Sequence, residues 1–240
     1  MQSNAEFPRM PTSDDSPLPY IPPSTHPVKS VKSLALSILA LLAMGAHAQE
    51  PAKEPSGFDA PWKQLFNGKD LSGWEEIGTE KWVVEDGAIY GEGITEEYGY
   101  LATEKTYKSF HLSLRFKCEA DGNSGVYLHT TFEPGTAKVT AGRQVEIDRV
   151  IGHHTGGIYG DGKGWVAWPA PHLEAVIRPN DWNDMLIRVE GKRYVVLLNG
   201  VEMLDFTYPN PEATEGVIAL QLHSGGEGRM RFKDIFIREL

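Results

Sequence analysis

From Ser109 to Glu119 the chain reads SFHLSLRFKCE. Phe110, Leu112, Leu114, Phe116 and Cys118 take every second position, with His111, Ser113, Arg115 and Lys117 between them. A period of two is the pattern of a strand that buries one face. Similar β-rich runs return in SGVYLHTTF (124–132), RQVEIDRVI (143–151), GGIYG (156–160), DMLIRVEG (184–191), RYVVLLNGVEMLDFTY (193–208), GVIALQLHS (216–224) and RMRFKDIFIREL (229–240). Turn chemistry separates them. KWVVEDGAIYGEG (81–93) reads as strand, Asp-Gly turn, strand, and Asn199-Gly200 forms the tip of a second hairpin. No segment carries a long 3.6-residue apolar period. Many short strands with a turn every ~8–12 residues predict an all-β antiparallel sandwich or barrel of about a dozen strands. Trp74 and Trp82 are expected in its core.

One apolar run breaks the pattern. LALSILALLAMG, residues 34–45, is 12 residues long, too short for the ~20 that span a bilayer. Lys29 and Lys32 precede it and Ala46-His47-Ala48 follows it. A basic flank, a short apolar core and small residues at −3 and −1 describe a secretory signal peptide cleaved after Ala48. Residues 1–27 are Pro-rich and acidic, unlike the start of a leader, so a start at Val28 is expected and residues 1–48 are read as a non-native extension plus signal peptide. Residues 49–61 read as a polar linker and 62–240 as one folded domain. The expected location is periplasmic or secreted, with no membrane span in the mature form.

Charge narrows the partners. The three basic and three acidic residues before Gln49 cancel, so the mature chain keeps the formal net charge of −10. A nucleic-acid surface needs clustered Lys and Arg, and no such cluster occurs. Cys118 is the single cysteine, which excludes an intrachain disulfide and reads as a small core residue. The adjacent His153 and His154 sit in a Gly-rich loop and do not read as a metal pair.

The polar halves of the strands hold the candidate chemistry. In GRQVEID, Val145 and Ile147 point one way, and Gln144, Glu146 and Asp148 the other. Two carboxylates and an amide on one face are either solvated charges or the floor of a groove. Asn123, Tyr127 and His129 alternate in NSGVYLH, Gln221 and His223 in LQLH, and Arg115 in HLSLRFK. Each histidine alone reads more readily as a hydrogen-bonded structural residue than as a catalyst. Amides and carboxylates pair with vicinal hydroxyls, and aromatic rings stack on sugar faces. Trp165 and Trp168 in YGDGKGWVAWPAP could supply a stacking wall, with Tyr159 beside them. A small-molecule carbohydrate is the expected ligand.

The chain also resembles the 3-keto-disaccharide hydrolase domain family. The matching pieces include LFNGKDLSGW (65–74), YLATEKTYKSFHLSLRFK (100–117), NSGVYLH (123–129), GRQVEID (142–148), TGGIYGDGKGW (155–165), GVIALQLH (216–223) and FKDIFIREL (232–240). Each is weak alone, and their order makes the set specific. The resemblance covers roughly 62–240 and implies a single-domain, concanavalin-like jelly-roll β-sandwich that cleaves 3-keto-glycosides. Many members read Gly-Tyr-Glu-x-Gln where this chain has GRQVE, so Glu and Gln are exchanged between positions 144 and 146. A ketone at C3 acidifies the C2 proton, so a base can remove it and the C1 substituent can depart by elimination. On this scheme Glu146 or Asp148 is the expected base and His223 the acid or carbonyl polariser. Arg115, Asn123, Tyr127, His129, Gln144, Tyr159, Trp165 and Gln221 are the expected binders, and His129 is a second candidate acid. The resemblance establishes no cofactor; a divalent metal could hold the enediolate, with Glu146, Asp148 and His223 as conceivable ligands. A non-catalytic lectin-like module is the alternative reading.

Overall fold

The computed structural model describes Pro55 and residues 61–120, 123–160, 163–225 and 228–240. The expected extension, signal peptide and most of the linker lie outside the described residues. Two antiparallel sheets make up the described chain. The first contains β1 (Lys63–Gln64), β3 (Lys81–Glu85), β4 (Ala88–Glu92), β6 (Phe110–Cys118), β11 (Asn183–Glu190), β12 (Arg193–Leu198), β13 (Val201–Thr207) and β15 (Arg229–Glu239). Its order is β13-β12-β11-β6-β15-β4-β3, with β1 added on β15. The second contains β2 (Trp74–Ile77), β5 (Gly99–Thr103), β7 (Ser124–Phe132), β8 (Val139–Ile147), β9 (Ile158–Gly160), β10 (Trp165–Ala167) and β14 (Val217–Leu222). Its order is β10-β9-β8-β7-β14-β5-β2. Pro171–Val176 forms a short 3-10 helix. Among the described residues no helix is long and apolar enough to cross a membrane.

The alternation decides what is inside. Phe110, Leu112, Leu114, Phe116 and Cys118 of β6 are all buried, and they join Val126, Leu128, Val145, Ile147, Leu220 and Leu222 of the second sheet in one core cluster. Trp74 and Trp82 lie in the same cluster. Both expected hairpin tips form. Asp86-Gly87 and Asn199-Gly200 have φ of 51° and 72°, and of 51° and 84°, the left-handed pair of a type I′ turn, whose twist matches the strands it joins. Burial pushes the Cys118 thiol up to about 12, so it stays protonated and inert as a core residue.

Phe116 is fully buried, whereas Lys117 faces outward and pairs with Glu119 at 3.6 Å. Phe116→Ala should cost ~3–5 kcal/mol through lost burial and the cavity left behind. Lys117→Ala should cost under ~1 kcal/mol, since an exposed pair adds little. Urea unfolding of both variants checks the orientation of β6. Equal losses would mean that its faces are assigned the wrong way round.

Candidate functional site

The outer face of the second sheet carries a cavity of about 790 Å³. Five neighbouring strands and their flanks supply its polar lining: Tyr159 from β9, Gln144 and Glu146 from β8, Tyr127 from β7, Gln221 from β14 and Tyr100 from β5. Asn123 and His223 enter from the ends of β7 and β14, and Tyr98, Trp165, Glu97 and residues 136–139 add to the wall. Val145 and Ile147, on the other side of β8, are fully buried in the core. The pleat therefore sends Val145 and Ile147 to the core and Gln144 and Glu146 to the cavity.

Glu146 is the most heavily buried acid in this lining, with 2% of its surface exposed. Gln144 Nε2 donates to its Oε2 at 2.7 Å, and Asn123 Nδ2 donates to its Oε1. These donors favour the carboxylate. Burial opposes them, the negative charge of Asp148 adds to the opposition, and together they push Glu146 up to about 9. It is therefore a protonated acid at neutral pH. A proton on Glu146 needs an acceptor, and the buried Asn123 Oδ1 has no hydrogen-bond partner. A half-turn of that amide would bring the oxygen onto the acid.

His223 is the opposite kind of group. Its Nδ1 lies 3.0 Å from the Ser224 carbonyl oxygen, which can only accept, so Nδ1 carries the proton. In the neutral ring this leaves the Nε2 lone pair toward Tyr98 Oη, 3.3 Å away. Burial raises both Tyr127 and Tyr100 above the usual phenol range, so both remain neutral donors. Gln221 Nε2 donates to Tyr127 Oη at 3.4 Å, while its buried Oε1 has no partner. The cavity thus combines a protonated acid at Glu146 and the His223 imidazole with the phenols of Tyr98, Tyr100, Tyr127 and Tyr159 and the amides of Asn123, Gln144 and Gln221.

Three expected site residues go elsewhere. Arg115 lies on the outer face of the other sheet. There it pairs with Asp184 at 3.0 Å and Asp234 at 3.4 Å, and its guanidinium lies 5.6 Å from the Trp182 ring centroid. Alternation assigned its face, but a period of two carries no information about which sheet a strand joins. His129 points into the core. A register shift between Leu128 and Thr131, with φ of 51° at His129, breaks the alternation there. Its Nε2 meets the Lys108 carbonyl oxygen at 2.7 Å and its Nδ1 faces Arg143 Nη1 at 3.0 Å. Asp148 lies just past the end of β8 and holds the next turn instead. It accepts from Val150 N at 2.7 Å and faces His153 Nδ1 at 2.9 Å, so its influence on the cavity is its charge. The trio Glu146, Asp148 and His223 is accordingly not gathered as a ligand set. Among the described residues no three His, Cys, Asp or Glu side chains form a metal-holding group.

Tyr98 and Tyr100 were missed. Their signal was present: Tyr100 and Ala102 alternate with the core residue Leu101. The segment before Tyr98 is tied down by buried Glu80, which accepts from Ile94 N and, at 3.1 Å, from Thr95 N. Gly125 is a second hidden requirement. A Cβ there would come within 2.4 Å of Gln144 Cγ, because the Gln144 side chain lies across β7 to reach the Ser124 carbonyl oxygen at 3.1 Å. Gly125→Ala should displace Gln144 and remove one donor from Glu146. Turnover should fall ~10-fold or more, with the fold intact by circular dichroism. An unchanged rate would show that Gln144 is not needed where it lies.

A family model described as the 3-keto-alpha-glucoside-1,2-lyase-like domain matches residues 61–238. The chain belongs to this family. A 3-keto-disaccharide hydrolase of Bacteroides thetaiotaomicron is 33% identical over 73 residues, an alignment that takes in 26% of this chain and only 25% of that protein. A solved structure from Parabacteroides distasonis, provisionally named a glycosyl hydrolase, superposes with a TM-score of 0.59 at 23% identity, covering 75% of this chain and 94% of the other. A carbohydrate-binding module, CBM66 from Bacillus subtilis, superposes with a TM-score of 0.54 at 13% identity, covering 71% and 98%. These likenesses show the fold, an all-β sandwich of the concanavalin-like class. The family is carbohydrate-active and hydrolase-like.

Proposed function

We propose that this chain is an exported enzyme that cleaves the glycosidic bond of 3-keto-glycosides by elimination across C1 and C2. The observation that carries the reading is the pairing, in one cavity, of a protonated acid at Glu146 with an imidazole lone pair at His223. His223 Nε2 takes the C2 proton. The electron pair of the broken C–H bond is delocalised onto the C3 oxygen as an enediolate, which the neutral phenols of Tyr127 and Tyr100 and the Gln221 amide stabilise by hydrogen bonding. The pair then returns to form the C1–C2 double bond as the C1–O bond breaks. The departing oxygen takes its proton from Glu146. Water added across the double bond completes a net hydrolysis and restores both protonation states. These roles reverse the sequence expectation, in which Glu146 was a base and His223 an acid. Burial is the reason. No oxocarbenium ion is formed, so a pair of carboxylates at glycosidase spacing is not required.

The test is incubation of the full chain with 3-keto-trehalose and methyl 3-keto-glucoside, with release of the second sugar or methanol as the readout. His223→Gln should lower turnover by at least ~10²-fold without changing the melting temperature. An EDTA arm separates a metal-held enediolate from one held by the phenols and amide alone. The likeness of the sandwich to a carbohydrate-binding module supports a second reading, a sugar-binding protein without turnover. Binding of keto sugars with no product from any of them would establish that reading.

A further inference from the structure

The cavity opens beside a run of exposed rings. Of the eight exposed large hydrophobic residues among those described, five fall between residues 150 and 168, including Tyr159 at 40%, Trp165 at 37% and Trp168 at 52% exposed. The aromatic rings form a chain. Tyr159 meets Trp165 edge-on at 5.4 Å between centroids, Trp165 meets His154 edge-on at 4.8 Å, and His154 stacks on Trp168 at 5.5 Å. Tyr159 and Trp165 line the cavity, and His154 and Trp168 extend beyond it. Exposed apolar rings of this size, contiguous with a polar cavity, mark a recognition surface.

The ledge is held in place from behind. Glu174 is fully buried, and its Oε2 accepts from Gly152 N at 2.7 Å and His154 N at 3.2 Å. A Cβ on Gly157 would come within 3.1 Å of Trp168 Cβ, so the chain packs closely beneath that indole. A surface ordered in advance binds a ring with less entropy loss.

Sheet order says which part of a substrate lies on the ledge. The strands run β10, β9, β8, β7, β14, β5. Tyr127, Gln221 and Tyr100 lie on the β7 side of Glu146, and Tyr159 and Trp165 on the β9–β10 side. The keto sugar must sit over the phenols and the Gln221 amide if they are to hold its C3 oxygen. Glu146, between the two groups, then protonates the C1 oxygen, and whatever that oxygen carries is directed toward β9 and β10. We infer that the Tyr159–Trp165–His154–Trp168 ledge is a leaving-group subsite that selects 3-keto-glycosides whose aglycone presents a ring face for stacking, that of a second sugar or of an aryl group. The inference rests on the proposed reaction and adds the substrate class of the same site.

Trp168 tests it, because it is half exposed and outside the cavity lining. Steady-state kinetics of Trp168→Ala should show KM for 3-keto-trehalose and for 4-nitrophenyl 3-keto-glucoside raised about tenfold, with kcat within about twofold. Both constants for methyl 3-keto-glucoside should be unchanged, and Trp168→Phe should restore most of the loss. A KM rise for the disaccharide alone assigns a sugar ring, and for the nitrophenyl substrate alone an aryl ring. Equal KM changes for all three substrates, or none, overturn the subsite while leaving the proposed reaction intact. Failure of the wild type to turn over any of the three overturns the reaction instead. The ledge is then judged by fluorescence titration with the same ligands, where a Trp168-dependent preference for the ring-bearing ones sustains it and equal affinities overturn it.

Discussion

Glu146→Gln is expected to do two things at pH 7: lower turnover of a 3-keto-glycoside by at least ~10²-fold, the scale of losing a general acid, and stabilise the fold. The second effect follows from the sign of its shift. Glu146 is raised from 4.5 to about 9 by burial, reinforced by the charge of Asp148. Below the unfolded value both states hold the proton and the group contributes nothing. As the pH rises past 4.5 the unfolded chain releases its proton while the folded one keeps it, so stability falls until about 9 and is flat above. At pH 7 this cost is on the order of 3 kcal/mol. Glutamine keeps the shape of the protonated acid and removes the cost. The variant should therefore melt higher than wild type at pH 8, and at the wild-type temperature at pH 4. The wild-type rate should decline as pH rises through about 9, where the proton donor ionises. A variant that loses activity but melts lower at pH 8 would show that Glu146 is ionised in the folded protein and acts as a base.

Val145→Asp should abolish folding. Val145 is fully buried, one residue from Glu146 on the same strand, and packs in the main core cluster. A carboxylate there would be buried among apolar neighbours, a cost of several kcal/mol even after its pKa shifts, comparable to the whole stability of a domain. Soluble yield and a cooperative melt are the measurements. A variant that folds with a wild-type melting temperature would place Val145 at the surface, which inverts the register of β8 and removes Glu146 from the cavity. The two adjacent positions thus carry opposite expectations, one change costing activity and the other the fold.

Much of the fold was legible because its signal is local. Alternation in β6, β8 and β14 named the core residues, since successive side chains of a strand point to opposite faces. Asp86-Gly87 and Asn199-Gly200 named two hairpins, since few residue pairs tolerate both left-handed positions. Gln144, Tyr127 and Gln221 could be placed on one side of their strands for the same reason. Arg115 could not be assigned a sheet, because its strand reads the same in either. His129 turned inward at a bulge that its sequence does not announce. Asp148 has the alternation of a site residue but lies just past the end of β8, and its carboxyl holds a turn.

The protonation of Glu146 was decided by tertiary structure alone. Its sequence neighbours are those of a solvated strand face, and its alternation with Val145 said only that it points away from the core. The cavity walls, from strands distant in sequence, took it out of water. A residue's face follows from the geometry of its own strand, whereas its charge follows from the dielectric that the rest of the chain builds around it. The sequence therefore determined which face of its strand each of Gln144, Glu146, Tyr127 and Gln221 takes, whereas the pairing of β5, β7, β8, β9 and β14 decided which side chains meet and which one holds the proton.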